Sequence, residues 1–350
     1  MAKGRIGLDI GSTAVRAAEL SAGPQPVVLR AAQVPLPAGA VESGEVRDTE
    51  LVGEALRELW QRGGFKSRQV WMGVGNQRVV VREIALPFLP EKELRASLGL
   101  QVQEYIPMSV DEAVLDYDPI GEFDQDDRKM MRMLLVAAQR AMVDQVVAAV
   151  QNAKLEPMGL DLVPFALVRA IGTPDLAMDL EEQGEEAIID VGAHVTNIVV
   201  HARGNTRFVR ILPSGGRDVT LAIARASGLE DDVAEHLKRG EDVEGAPSPD
   251  EVKDVARNRA SAFVDEIRSS LEFYSAQARD ARIGKVMITG GGSKLEGLLD
   301  LMRQRITVPV DPGAVFQHVP SQLSLSAEAA ADAEPVLAVA VGLAIPGVET

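Results

Sequence analysis

The 350-residue chain is 46% apolar and 25% charged, and its 36 basic against 52 acidic side chains leave a formal net charge of −16. That length exceeds what one hydrophobic core usually serves, so two lobes are expected, while the acidic excess without any Lys/Arg-rich block argues against a nucleic-acid partner and requires any anionic ligand to be held locally. The absence of cysteine excludes disulfides and thiolate metal sites.

The N-terminal residues run straight into a strand pattern, leaving no room for a secretory leader, and no run reaches the roughly 18 apolar residues of a membrane span. A soluble, cytoplasmic protein is therefore expected. Residues 5–34 read as a three-strand meander, Arg5–Ile10, Ala14–Ser21 and Pro26–Val34, with Gly11-Ser12-Thr13 and Ala22-Gly23-Pro24 at the corners. Residues 48–62 form an amphipathic helix ended by Gly63-Gly64, and Val70–Val74 returns as a strand.

From 77 to 158 the pattern becomes a compact α+β unit inserted into the first lobe. It holds a strand Val79–Ile84, a helix Glu91–Tyr105 stopped by Pro107, and a strand Ala113–Pro119. An acidic loop at 122–127 follows as a solvated tip, then a strand Met131–Ala138 and a helix turning Val143, Val146, Val147 and Val150 inward. The first lobe, 1–76, resumes over 159–184 with a helix at 159–173.

After a loop at 181–186, the second lobe (185–350) opens with another meander: Ala187–Val191, Thr196–Ala202 and Thr206–Pro213. Gly215-Gly216 leads into a helical subdomain, 217–283, interrupted by the loop Glu241–Pro249. A third apolar run ends in Gly290-Gly291-Gly292, with Ser293 and Glu296 spaced as a capping box for a helix carrying Leu295, Leu298, Leu299 and Met302. Residues 321–334 read as a surface loop and Val336–Ala344 as the last helix.

The chemistry lies in a repeat. Gly7-Leu8-Asp9-Ile10-Gly11-Ser12-Thr13 and Ile188-Ile189-Asp190-Val191-Gly192-Ala193-His194 each deliver one carboxylate and then a glycine at a tight turn. Such turns let a backbone approach phosphate closely, and two facing carboxylates supply magnesium ligands where no basic field exists. Ser12, Thr13 and Arg16 stand where hydroxyls and a guanidinium reach phosphate oxygens. His194, in the second turn, is read as an exposed turn residue in preference to a phosphate contact. No P-loop or G-x-S-x-G elbow occurs, Leu295 occupies the place of a third Rossmann glycine, and the four histidines lack metal spacing.

Taken together, Gly-Leu-Asp-Ile-Gly-Ser, Ile-Asp-Val-Gly and Ile-Thr-Gly-Gly-Gly-Ser resemble the phosphate 1, phosphate 2 and adenosine motifs of the actin, sugar-kinase and heat-shock-chaperone superfamily, over nearly the whole chain. The insertion, with Glu-Tyr-Ile-Pro at 104–107, Leu-Asp-Tyr at 115–117 and Gly-Leu-Asp-Leu-Val-Pro-Phe-Ala-Leu at 159–167, resembles the FtsA/PilM family. The resemblance implies an α/β, actin-like (ribonuclease H-like, duplicated) two-lobed ATPase fold. It implies ATP and Mg2+ as cofactors, with Asp9 and Asp190 on the metal; Gly11, Ser12, Thr13, Gly192 and Thr196 on phosphates; and Gly290, Gly291 and Gly292 beside adenosine. Arg16 stands where relatives commonly carry lysine, and Glu266 and Ser269 where relatives bind adenine or ribose. Asp161 falls near a water-orienting position in a connecting helix, and equally fits a helix N-cap or surface carboxylate.

The implied role is a cytoplasmic scaffold of the type IV pilus inner-membrane assembly complex, taking the N-terminal cytoplasmic peptide of PilN in a groove beside the insert. Two alternatives stay in view. An FtsA-like division protein is disfavoured by the proline-containing, non-basic end Ile345–Thr350, and a small-molecule kinase by the lack of a catalytic base beyond Asp161. Hydrolysis and self-association stay open.

Overall fold

The computed structural model describes residues 4–172, 184–241, 243, 247–278 and 282–347. Residues 181–183 of the first expected loop, and 242 and 244–246 of the second, lie outside the described residues.

The first lobe begins with β1 (Arg5–Ile10), β2 (Ala14–Leu20), β3 (Val28–Pro35) and a small hairpin of β4 (Val41–Glu42) and β5 (Glu45–Val46). Helix α1 (Thr49–Gly63) and β6 (Gln69–Val74) follow. Asp48 caps α1 by accepting the N–H groups of Glu50 and Leu51, both at 2.9 Å. Val52, Ala55, Leu56 and Leu59 then bury one stripe of the helix against the sheet.

The insert comprises β7 (Val79–Pro87), α2 (Glu91–Val102), β8 (Ala113–Gln125) and β9 (Arg128–Gln139). Its antiparallel sheet, in the order β7-β9-β8, carries Ile84, Leu86, Met133 and Leu135 against Leu94, Leu98 and Val102 of α2. The expected acidic loop is shorter than its sequence suggests. Strand β8 runs on to Gln125, and the turn is Asp126-Asp127, both with positive φ (51° and 59°), a geometry that short polar side chains tolerate.

Helix α3 (Arg140–Asn152) packs into the core of the first lobe, with Val146, Ala149 and Val150 beside Val52 and Leu56. The unit with its own core therefore ends near Gln139, before the expected boundary at 158. Residues 159–162 are strand, not helix: β10 (Glu156–Leu162) pairs in parallel with β6, and α4 (Val163–Ile171) starts only afterwards, with proline in its first turn. The ladder bonds offered by the edge of β6 outweigh the helical spacing of the segment.

The second lobe repeats the plan. It contains β11 (Glu185–Val191), β12 (Thr196–Ala202), β13 (Asn205–Leu212), α5 (Gly216–Ser227), α6 (Asp231–Lys238), α7 (Pro249–Gln277), β14 (Ile283–Thr289), α8 (Leu298–Arg305), β15 (Val310–Pro312), α9 (Val315–His318) and α10 (Ala327–Ala344). The sheet orders β3-β2-β1-β6-β10 and β13-β12-β11-β14-β15 correspond strand for strand, each an antiparallel meander extended by parallel strands.

Two expectations in this lobe fail. Ser293 and Glu296 form no capping box, because Gly291–Lys294 tightens into a 3-10 turn; the Ser293 hydroxyl donates to the Gly290 carbonyl, Glu296 accepts Lys253 Nζ, and α8 starts at Leu298. The expected loop at 321–334 is helical from Ala327, where the hydroxyl of Ser326 caps α10 by accepting the Ala329 N–H at 3.1 Å. That helix crosses to the first lobe. It packs on α4 and β1 in a core that also takes Ile188, Val199 and Met287 from the second sheet. The approach demands glycine: a Cβ on Gly342 would stand 1.9 Å from the Ala166 carbonyl oxygen. Among the described residues, no helix is long and apolar enough to cross a membrane.

Candidate functional site

Three strands, β1, β11 and β14, each end at a glycine corner, and the second corner touches the first lobe through the Ser43 N–H to His194 bond. At the first two ends the chain makes the same four-residue turn, Gly11 N–H donating to the Ala14 carbonyl at 3.1 Å and Gly192 N–H to the Val195 carbonyl at 2.9 Å. The register then sets a partner across each carboxylate. Asp9 pairs with Arg16 on β2, and Asp190 with Asn197 on β12.

Arg16 Nη1 lies 3.3 Å from Asp9 Oδ2, while its Nε donates to Gln33 at 2.7 Å, so the guanidinium is strapped between two strands. Asn197 Nδ2 donates to Asp190 Oδ2 at 3.2 Å, a bond between buried groups. Burial raises the pKa of Asp9, and Arg16 partly offsets it. Asp190 is pushed up to about 6, first by burial and then by the negative charge of Asp9. The charge of the first turn's carboxylate thus bears on that of the second.

The third corner closes over Asp190. Gly290 has φ 87°, and a Cβ there would meet Asp190 Oδ1 and the Val191 carbonyl oxygen, both at 2.5 Å, so only glycine fits. Its N–H donates to the carbonyl of Pro335 in α10 at 2.9 Å. Gly292 follows against Val191 and the Gly192 carbonyl. The Gly215-Gly216 corner is stitched to the second turn, Gly216 N–H donating to Gly192 and Arg217 N–H to Ala193.

Of the residues singled out in the sequence, Asp9, Gly11, Ser12, Thr13, Arg16, Asp190, Gly192, Gly290, Gly291 and Gly292 lie on these corners and the strand leaving the first. Others do not fit their expected roles. Thr196 is fully buried and its hydroxyl donates to the Ser214 carbonyl at 2.8 Å, so it holds the neighbouring corner instead of facing a ligand. Asp161 sits on β10, outside any helix; its carboxylate is bound by Arg169 and accepts the Leu162 N–H, and it caps nothing. Ser269 is exposed and returns its hydroxyl to the Asp265 carbonyl of its own helix. Glu266 reaches the corner indirectly, accepting the Ser214 hydroxyl at 3.0 Å. His194 is not a free turn residue: it is half-buried and accepts the Ser43 N–H at 3.0 Å from the opposite lobe.

Sequence reasoning passed over Asn197, Glu235 and Lys238. Lys238 Nζ donates to Glu235 at 2.6 Å, Thr220 at 2.9 Å and the Gly216 carbonyl at 3.2 Å, beside the point where Gly216 approaches Gly292. The lysine and the hydroxyl of Thr220 hold Glu235 ionised, below its usual range, against the cost of burial. The signal was present as a Glu-x-x-Lys pair one helical turn apart on α6. Asn197 was equally legible, seven residues after Asp190 as Arg16 is after Asp9.

Among the described residues no three His, Asp or Glu side chains gather to hold a metal unaided. A pair of opposed carboxylates fits a divalent cation whose remaining ligands are water and phosphate.

A solved PilM–PilN type IV pilus biogenesis complex is 29% identical, with a TM-score of 0.85 and 99% of both chains covered. The division protein FtsA of Pseudomonas aeruginosa is 23% identical over 346 residues, covering 89% of this chain and 83% of that protein. MreB5 of Spiroplasma citri, solved bound to ADP, is 12% identical with a TM-score of 0.55, covering 97% and 95%, a likeness of fold alone. The duplicated sheets are those of the actin-like fold, and residues 7–348 match the family model of type IV pilus assembly protein PilM, so the chain belongs to the PilM family.

Proposed function

We propose that this chain is an ATP-binding, actin-like scaffold of the type IV pilus assembly platform, held at the inner face of the membrane through its partner. What supports the reading is the duplicated turn, which delivers one carboxylate at the same register in each lobe, together with the influence of the Asp9 charge on Asp190. A magnesium ion would be held there by the two carboxylates and would supply charge neutralisation for a triphosphate. Amides of the first two turns and the Ser12 and Thr13 hydroxyls would receive the phosphates, Arg16 would add the local cation that the acidic chain otherwise lacks, and Glu235 and Lys238 would border the adenosine beside Gly216 and Gly292.

The partner in this reading is the N-terminal cytoplasmic peptide of PilN, lodged beside the insert. Support comes from the similarity to a PilM–PilN complex over both whole chains. ATP would tune that groove only by binding one arrangement of the lobes better than another.

Calorimetric titration with Mg-ATP tests the cleft: the native chain binds, while Asp9→Ala and Asp190→Ala each lose at least about 100-fold in affinity, some 2.7 kcal/mol. Equal affinity in all three proteins would reject the clamp. The groove is tested by excising 79–138, whose ends already meet through the Gln139 N–H to Arg78 carbonyl bond at 3.0 Å. Nucleotide binding should persist and capture of the PilN peptide should vanish; retained capture would move the peptide site elsewhere.

A further inference from the structure

The second glycine turn touches the first lobe at the tip of one hairpin. Ser43 and Gly44, both with positive φ (52° and 75°), link β4 to β5. The Ser43 N–H donates to His194 Nδ1 at 3.0 Å across the cleft. Burial and the Arg217 guanidinium lower the pKa of His194, keeping the imidazole neutral with a lone pair at Nδ1.

From the hairpin the bonds continue without a gap. The Gly44 carbonyl accepts Asn76 Nδ2 at 2.7 Å, and Asn76, with no exposed surface, accepts the Arg78 N–H at its Oδ1 (2.9 Å) and the Val79 N–H at its own carbonyl (3.0 Å). Arg78 Nε reaches back to Glu45 at 3.0 Å, and its carbonyl accepts the Gln139 N–H. Val79 opens β7 and Gln139 ends β9, so both strands that attach the insert hang from this one cluster.

The hairpin cannot slide freely past either neighbour. A Cβ on Gly44 would stand 2.9 Å from Asn76 Cβ and 3.5 Å from Val195 Cγ2, so its tip is wedged between the lobes. Moving it away from Asn76 would leave a fully buried amide unpaired. A shift of the second turn must therefore either break the His194 bond or carry the root of the insert with it.

We propose that His194, Ser43, Gly44, Asn76 and Arg78 form the relay by which occupancy of the cleft changes the affinity of the groove beside the insert. This rests on the function proposed above and names its regulation. His194 is the positioning residue at the head of the relay, and the relay joins two sites by a contiguous bonded network instead of by proximity. Coupling through it has to be reciprocal, the peptide tightening nucleotide by the factor that nucleotide tightens the peptide.

The test uses the full chain and its His194→Ala and His194→Asn variants, the second retaining an acceptor for the Ser43 N–H. A synthetic PilN N-terminal peptide is titrated with and without Mg-ATP, and each ligand is also titrated alone. The native chain should show a coupling factor of about fivefold or more. His194→Ala should bring it within about twofold of unity, and His194→Asn should restore it. No coupling in the native chain, or equal coupling in His194→Ala, overturns the relay. If the native chain binds no nucleotide, the proposed function falls, and hydrogen exchange of the ligand-free proteins still decides the relay. His194→Ala should then speed exchange of the Val79 and Gln139 amides about tenfold while Ile188 and Ile189 keep their native protection. Unchanged exchange at both amides would overturn it.

Discussion

The two halves of the cleft share a backbone and differ in charge. In the first lobe the carboxylate at the turn is met across the ladder by a guanidinium, in the second by an amide, at the same register and the same sequence separation. One half carries a countercharge within the protein that partly offsets the cost of burial. The other keeps a buried acid whose ionisation is costly, so duplication supplied the geometry and divergence at one ladder position decided where the charge imbalance sits.

Two pairs of substitutions and one single change would break or sharpen this contrast. The largest effect is steric: Gly192→Ala drives a Cβ to 2.6 Å from the Val195 carbonyl oxygen, whereas at Gly11 the Ala14 oxygen and Arg16 Nη1 stand at 3.1 Å. Urea unfolding should show a loss of about 2–3 kcal/mol for Gly192→Ala and less than about 1 kcal/mol for Gly11→Ala. Equal losses would mean that the two turns are equally tight.

Charge comes next. Because Asp190 titrates near 6 in the fold against an ordinary 3.8, the native state binds more protons between those values, and stability falls as pH rises through that window. Asp190→Asn should remove that slope and stabilise the ligand-free protein at pH 7.5 by roughly 1–3 kcal/mol, while abolishing Mg-ATP binding. Asp9→Asn should give a smaller gain, since Arg16 already offsets part of the burial cost. Urea midpoints at pH 4 and pH 7.5 separate the two. Smallest is Arg16→Lys, which keeps the charge beside Asp9 and gives up the Nε bond to Gln33. Its stability should change by less than about 1 kcal/mol, and a drop in Mg-ATP affinity beyond about tenfold would show that the fork geometry itself matters.

Both meanders and all three glycine corners were legible in the chain, because apolar runs that end at a glycine turn leave few other conformations. The failures share a cause. Residues 159–162 carry helical spacing yet sit at a sheet edge, and 327–334, rich in alanine and acid, look like a surface loop until the rest of α10 anchors them. Thr196 and Ser269 have the right side chains in the right neighbourhoods, but their hydroxyls are already committed to carbonyl groups.

By itself the sequence determined the duplicated fold, the order of its corners and the identity of the acids, since these follow from local patterns of strand, turn and charge. Only the tertiary structure decided that α3 belongs to the core of the first lobe, that α10 fills a core shared by both lobes, that Asp190 is held by Asn197, and that His194 reaches Ser43 from the other lobe. Those contacts join residues far apart along the chain. Their energies come from burying surfaces and pairing polar groups that no local pattern brings together.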